Sequence, residues 1–233
     1  MHKLVIFDLD QTLVEALVVH NETMCRLFQR FYGVDARFTE VDFTGRSLAE
    51  NITALALLKG ISGETTRNNL KDMLATYDAI FAQVMPEDGR KYLLPGVIPL
   101  LEALQKAGAV LVLYTGDSRA VAQTICRAAR LGGYFRQSFY GTEVAARPDM
   151  VRGAIHWAEG DTGKKFRGKS IVVIGDSLRD IECGKQFGAV KIAVATGHHS
   201  VAALRAAEPD FLFSDLADTK KVIRAALGRN QAT

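Results

Sequence analysis

The sequence predicts an α/β protein with a doubly wound, Rossmann-like parallel sheet and an inserted all-helical subdomain. Short runs of almost only apolar, often β-branched residues recur along the chain and alternate with stretches of helical periodicity. These runs are continuously apolar, so both faces of each strand are expected to be buried, as in a parallel sheet covered by helices. One interval, 14–90, breaks the alternation, because it carries helical patterns and no convincing strand.

The first strand is predicted at 3–9, where an apolar run leads directly into acidic residues. Later strands are predicted, the last of them the weakest, at 109–114, 170–174, 190–195 and 210–213. The helices that alternate with these strands are predicted at 97–107, 119–131, 149–159, 178–187, 201–207 and 215–227. This order of elements is typical of a doubly wound sheet.

The interval 14–90 is predicted to contain three helices, at 14–31, 47–59 and 64–85, separated by glycine- and proline-containing turns. It is too long for a crossover connection between two strands. We therefore interpret it as an inserted helical cap, and residues 1–13 and 91–233 as the α/β core.

Composition excludes several classes of protein. Of the 233 residues, 29 are basic and 26 acidic, and they are spread along the chain, so no nucleic-acid partner is expected. No apolar run reaches the roughly 18 residues that a membrane span needs, and no membrane partner is expected. Three cysteines lie far apart in the sequence, a pattern typical of reduced, cytoplasmic proteins. The oligomeric state is left open.

Polar residues follow the predicted strands at the point where each strand ends. Asp8 and Asp10 follow the first, Thr115 the second, and Asp176 and Asp180 the third. The carboxyl ends of parallel strands share one edge of a sheet, where α/β proteins bind their ligands. Carboxylates gathered there repel one another unless a cation neutralises them. Oxygen ligands without a histidine or cysteine cluster favour a hard ion, and Mg²⁺ is the natural choice when phosphate is also present.

These residues resemble the motifs of the haloacid dehalogenase superfamily, in its phosphatase branch. Asp8-Leu9-Asp10-Gln11-Thr12-Leu13 resembles the first motif and Thr115-Gly116 the second. Arg147-Pro148 takes the place of the third, and Gly175-Asp176-Ser177-Leu178-Arg179-Asp180 resembles the fourth. The order, the spacing and the helical insertion after the first motif also agree, so the resemblance covers essentially the whole chain.

The resemblance implies a role for each motif residue. Asp8 would be the nucleophile that forms an aspartyl-phosphate, and Asp10 the general acid and base. Thr115 and Gly116 would bind the transferring phosphoryl group. Asp176, Asp8 and the backbone carbonyl of Asp10 would hold Mg²⁺, with Asp180 as an outer partner of the metal or of a cation.

Three residues depart from the family pattern. Arg147 stands where the family has a catalytic lysine, and a guanidinium is a planar fork whereas an ammonium is a point charge. We expect Arg147 to contact the phosphoryl group in its place, because Lys164, Lys165 and Lys169 precede a strand and so lie at the opposite edge of the sheet. Gln11 stands where glycine is common, and Asp117 where asparagine is.

The predicted cap contains a loop that is a candidate for substrate recognition. Phe43-Thr44-Gly45-Arg46-Ser47-Leu48 is similar to the cap loop that reaches the active site in the phosphoglycolate-phosphatase and β-phosphoglucomutase groups. Arg46 would then bind a carboxylate or second phosphate of the substrate. His20 is interpreted as structural, whereas His198 and His199 follow a strand and are expected to border the site.

We therefore expect a Mg²⁺-dependent phosphatase that acts on a small phosphorylated metabolite through an aspartyl-phosphate. Two alternatives stay open: a sugar phosphomutase of the β-phosphoglucomutase type, and a catalytically weak phosphate-binding regulatory module. Which metabolite is the substrate is not predicted by the sequence.

Overall fold

The computed structural model describes residues 2–228 and contains one parallel sheet in the order β3-β2-β1-β4-β5-β6. The strands are β1 (Leu4–Phe7), β2 (Val110–Thr115), β3 (Gln137–Tyr140), β4 (Ile171–Gly175), β5 (Val190–Val194) and β6 (Phe211–Phe213). The prediction of a doubly wound α/β fold is confirmed.

The helices also follow the predicted order, with ends that shift by a few residues. Those of the interval 14–90, which we call the cap, are α1 (Leu17–Tyr32), α2 (Leu48–Leu58) and α3 (Gly63–Val84). Those of the α/β core are α4 (Val97–Lys106), α5 (Arg119–Ala128), α6 (Arg147–Thr162), α7 (Leu178–Gln186), α8 (Val201–Ala206) and α9 (Thr219–Leu227). Within residues 2–228, no helix is both long and apolar enough to cross a membrane.

The central strand divides the core into two layers. Val5 and Phe7 belong to the cluster that includes the apolar residues of α4, α5 and α9, whereas Leu4 and Ile6 belong to the cluster under α6. Successive side chains of a strand point to opposite faces. All four residues are fully buried, as expected for a strand with helices on both sides.

Strand β3 is missing from the sequence prediction. Its residues, Gln137-Ser138-Phe139-Tyr140, include two polar ones, and only the last is buried. It forms an edge of the sheet and pairs with Val112–Thr115 of β2. An edge strand buries less apolar surface than a central one, so it lacks the continuous apolar run on which the other predictions depended.

The cap begins and ends at adjacent points on the core. The backbone amide of Glu15 donates to the Tyr92 carbonyl at 2.7 Å, and that of Leu94 donates to the Leu13 carbonyl at 3.0 Å. Just before this junction Gln11 adopts φ +61°, a left-handed conformation that glycine adopts without strain. The glycine that is common here in related sequences therefore has a backbone reason.

Candidate active site

Backbone register brings the polar strand ends together. Phe7 of β1 pairs with Leu113 of β2 on one side and with Ile174 of β4 on the other, so the three strands end at the same level. Asp8, Thr115 and Asp176 therefore emerge side by side, as the sequence predicts. Together with residues of the cap they line a small cavity of about 70 Å³.

Three carboxylates form the first group in this site. Single oxygens of Asp8, Asp176 and Asp180 lie within 4.8 Å of one another, and all three residues are buried. Thr12 Oγ1 donates to Asp176 at 3.0 Å, and a Cβ at Gly197 would lie 1.8 Å from the other Asp176 oxygen. Buried oxygen-only ligands held this closely fit a hard divalent cation, which would remove their mutual repulsion.

The side chain of Arg147 lies between two of these acids and contacts both. It is the first residue of α6, and its side chain is only 8% exposed. Nη2 donates to Asp8 and, at 2.7 Å, to Asp180, while Nη1 lies 3.4 Å from the Gly45 carbonyl of the cap. The guanidinium also lies 4.5 Å from the ring centre of Tyr114, whose hydroxyl donates to Asp180. Arg147 therefore contacts two acids, an aromatic face and the cap at once.

Burial and the neighbouring Arg147 determine the pKa values of the three acids. Burial raises the pKa of Asp8 to about 8, although Arg147 opposes that shift, and it raises the pKa of Asp176 well above its usual range. Burial acts in the same direction on Asp180, but Arg147 and the hydrogen bonds from Ser177 and Tyr114 lower its pKa. A bound cation would favour the ionised forms of all three acids.

A second polar group surrounds Asp10 and lies apart from the first. Single side-chain atoms of Asp10, His20 and Asp117 lie within 4.8 Å of one another. His20 Nε2 contacts Asp10 Oδ1 at 3.1 Å, and its Nδ1 contacts the Tyr77 hydroxyl at 2.8 Å. The Asp10 side chain therefore faces the cap, and only its backbone is free to join the metal group.

In this second group the pKa values of Asp10 and Asp117 shift in opposite directions. Burial raises the pKa of Asp117 well above its usual range, and the neighbouring Asp10 carboxylate adds to the shift. Burial also acts to raise the pKa of Asp10, but His20 and the hydrogen bond from Asp117 outweigh it and lower that pKa. The surroundings therefore favour the ionised form of Asp10 and the protonated form of Asp117.

The cap lies directly on the second motif. The Leu48 amide donates to the Gly116 carbonyl at 2.9 Å, and a Cβ at Gly116 would lie 2.1 Å from the Arg46 carbonyl. Thr115 is buried, and its Oγ1 accepts a hydrogen bond from the Asp117 amide at 3.2 Å. Any side chain in place of Gly116 would separate the cap from the core.

The cap supplies the remaining walls of the cavity. Among residues 2–228 the cations that line it are Arg46 and Arg147, while the lysine at 169 lies before β4, where its carbonyl accepts from Lys3 at 2.6 Å. His199 contacts Thr44 at 3.3 Å, and the His198 ring packs edge-on against Phe43, so both histidines meet the cap loop.

Sequence reasoning missed several residues of this site. His20 contacts Asp10, whereas the sequence favoured a purely structural role; Tyr77, Asn51 and Tyr114 were not singled out at all. One signal was present for His20, because a helix predicted directly after the first motif must begin beside it. For Tyr77 and Asn51 there was none, since their positions depend on how the cap packs.

The comparisons with known proteins agree with this architecture. "Probable phosphatase IndB" of Dickeya dadantii is 27% identical over 236 residues, covering 97% of this chain and 96% of that protein. A phosphoglycolate phosphatase of Vibrio vulnificus is 27% identical over 229 residues, covering 95% of this chain and 96% of that protein. The crystal structure of a β-phosphoglucomutase from Clostridium difficile has a TM-score of 0.80 at 13% identity and covers 98% of each chain.

At that identity the solved structure supports the fold alone. The family is established by sequence, because the profile of the haloacid dehalogenase-like hydrolases matches residues 2–188. That match spans all four motifs described above and the cap. The protein therefore belongs to the haloacid dehalogenase-like hydrolase family.

Proposed function

We propose that this protein is a Mg²⁺-dependent phosphatase that hydrolyses a small phosphorylated metabolite through an aspartyl-phosphate on Asp8. The observation that carries the proposal is the arrangement of two polar groups around one small cavity. Asp8, with the acids suited to a cation, borders it on one side, and Asp10, with a proton-holding partner, on the other. Relatives named as phosphatases that match this chain end to end support the same conclusion.

In the first step, an oxygen of the Asp8 carboxylate attacks phosphorus as the bond to the leaving alcohol oxygen breaks. Asp10 gives the leaving oxygen a proton that it receives from the neighbouring carboxyl group of Asp117, whose raised pKa favours its protonated form. Thr115 and Arg147 donate hydrogen bonds to the phosphoryl oxygens, whose charge is the main electrostatic demand of phosphoryl transfer.

In the second step, Asp10 removes a proton from a water whose oxygen attacks phosphorus, and the bond to Asp8 breaks to release phosphate. Asp8, Asp176 and the Asp10 carbonyl would hold Mg²⁺, with Asp180 positioned behind them by Arg147 and Ser177. When bound, Mg²⁺ neutralises charge on the phosphoryl oxygens and keeps Asp8 ionised.

We also propose that residues 14–90 act as a cap that closes over this chemistry and excludes bulk water. Its contacts with the core support this role, because they run through the catalytic motifs. Leu48 bonds to Gly116, and the Gly45 carbonyl faces Arg147. Residues of the cap, Arg46 and Asn51 among them, line the cavity together with Asp8 and Thr115 of the core.

The test is phosphate release from a panel of phosphomonoesters, with Mg²⁺ and with chelator. Wild-type protein should release phosphate only with Mg²⁺, and Asp8→Asn should lose the activity. Asp72→Asn, which removes an exposed acid on α3, is the matched control. Turnover by Asp8→Asn above a few per cent of wild type would refute the nucleophile assignment.

The same panel separates the alternatives. A phosphomutase would return an isomerised sugar phosphate with little free phosphate. A regulatory module would bind phosphomonoesters without metal-dependent turnover.

A further inference from the structure

The polar groups on the cap side of the cavity differ in whether they have partners. His20 uses both ring nitrogens, on Asp10 and Tyr77, and the Thr44 hydroxyl donates to Asp42 at 2.9 Å. Two other groups, Arg46 Nε and Asn51 Oδ1, are buried and have no hydrogen-bond partner among residues 2–228. Buried polar atoms are rarely left unpaired, so these two point to a ligand.

The orientation of Asn51 is fixed by its other end. The residue is 3% exposed, and its Nδ2 donates to the Phe43 carbonyl at 3.4 Å. Rotating the amide by half a turn would place two carbonyl oxygens against each other, which is unfavourable. Oδ1 is therefore an unpaired acceptor on a residue that lines the cavity.

Helix α2 places Arg46 and Asn51 beside each other. Ser47 is the N-cap of this helix, so Arg46 lies immediately before it and Asn51 one turn after it. The nearest acid to Arg46 is Asp42, at 3.8 Å and 64% exposed, so it leaves Nε free. Side chains that cannot hydrogen-bond fill the rest of this wall: Leu17, Phe38, Phe43 and Leu48.

We propose that Arg46 and Asn51 form a paired recognition site for the alcohol portion of the substrate, with Asn51 as a specificity-determining residue. The site takes a phosphomonoester whose alcohol portion carries an ionised or carbonyl oxygen for Arg46 and a hydroxyl or amino donor for Asn51. This inference rests on the proposed phosphatase function and narrows it. A two-carbon phosphorylated acid such as phosphoglycolate has the oxygen but no donor, so it would leave Asn51 unpaired.

The test uses three phosphate esters of three-carbon acids that differ only at C2. These are the phosphate ester of 3-hydroxypropionate (3-phosphopropionate) with hydrogen, 3-phosphoglycerate with hydroxyl and O-phosphoserine with ammonium. Dissociation constants are measured by calorimetry with Mg²⁺ on the full-length Asp8→Asn protein, so binding is read independently of turnover. At least one donor-bearing compound should bind about tenfold or more tightly than 3-phosphopropionate, the effect of one hydrogen bond to an otherwise unpaired group. Whichever of 3-phosphoglycerate and O-phosphoserine binds more tightly shows whether the donor is a hydroxyl or an ammonium group.

Variants at Asn51 separate recognition from a structural role. In the same Asp8→Asn background, Asn51→Leu should reduce that ratio to about one. Asn51→Asp keeps an acceptor and should keep the preference, shifted toward the ammonium compound. Thr53→Val, on the exposed face of the same helix, should leave the ratio as it is, and circular dichroism reports the folding of each variant.

Equal binding of the three compounds, tighter binding of 3-phosphopropionate, or no binding of any of them would overturn the inference. A preference that Asn51→Leu leaves unchanged would also overturn it, because the donor would then be recognised elsewhere. None of these results touches the proposed function, which is tested separately by Mg²⁺-dependent phosphate release from the wild-type protein and by its loss in Asp8→Asn.

Discussion

Replacing Arg147 by lysine tests what the guanidinium does that the family's usual ammonium cannot. The substitution keeps the positive charge beside Asp8 and Asp180 but removes the planar fork. The fork allows Nε and Nη2 to reach Asp180 while Nη1 reaches the Gly45 carbonyl and the plane stacks on Tyr114. A single ammonium cannot occupy these positions together.

The expected loss can be built up contact by contact. The Nε bond to Asp180 at 3.2 Å and the Nη1 bond to Gly45 at 3.4 Å are long, so each contributes about 0.5–1 kcal/mol. The stack on Tyr114 adds about 1 kcal/mol. Arg147→Lys should therefore lower the free energy of unfolding by about 2 kcal/mol, and Arg147→Met by about 3–5 kcal/mol, because methionine leaves buried acids without a cation.

Three measurements on Arg147→Lys check this reasoning. Chemical denaturation gives the change in free energy, and steady-state kinetics gives the change in kcat/KM. Hydrogen exchange at the Leu48 amide, which bonds to Gly116 across the cap–core boundary, reports cap opening and should accelerate. A control, Arg179→Lys, alters the exposed contact with Glu50 at 3.6 Å and should change little. Stability and Leu48 exchange equal to wild type in Arg147→Lys would refute the role given to the fork.

Three further predictions concern the same site. Gly116→Ala should abolish turnover while the core stays folded, because its Cβ would meet the Arg46 carbonyl at 2.1 Å and keep the cap open; kinetics together with thermal unfolding check this, and near-normal kcat/KM would contradict it. His20→Gln should move the limb of the pH profile of kcat/KM that reports Asp10 to higher pH, because His20 lowers the pKa of Asp10; a lower rate with an unmoved profile would show that His20 only packs. In the metal-free protein the raised pKa of Asp8, about 8, gives stability that is full below the usual carboxyl range and is lost as the pH rises through about 8. Mg²⁺ should therefore raise the melting temperature more at pH 8.5 than at pH 5.5, and an equal rise at both would show that the metal does not bind ionised Asp8.

The fold was predictable where strands are buried on both faces, because such strands have continuously apolar sequences. Strands β1, β2, β4 and β5 are covered on both faces and are almost entirely apolar, with the half-buried Lys191 of β5 as an exception. Gln137 and Ser138 of β3 lie at the sheet edge and are not buried, so β3 has no continuous apolar run by which it could be predicted.

The site was predictable to the extent that it is built from strand ends. Parallel register places Asp8 beside Thr115 and Asp176 without further information. Asn51 lines the cavity, and Tyr77 contacts His20 behind it, only because α1, α2 and α3 pack in one particular way on one another and on the core. That packing depends on contacts between residues far apart in the sequence, which a single sequence does not reveal.

The environments of Asp8 and Asp10 explain how two carboxyl groups separated by one residue take different tasks. The Asp8 side chain turns toward Arg147 and the acids suited to a cation, so it is the carboxyl that a metal would keep ionised as a nucleophile. The Asp10 side chain turns toward His20 and Asp117, and the pKa of Asp117 is raised while that of Asp10 is lowered. Carboxyl groups whose surroundings drive their protonation apart are what acid–base and nucleophilic chemistry require of a single site. An asparagine at 117 could also pair with Asp10 but could not supply it with a proton, so we expect the departure from the family pattern at Asp117 to affect the proton transfers of the proposed reaction and not the attack by Asp8.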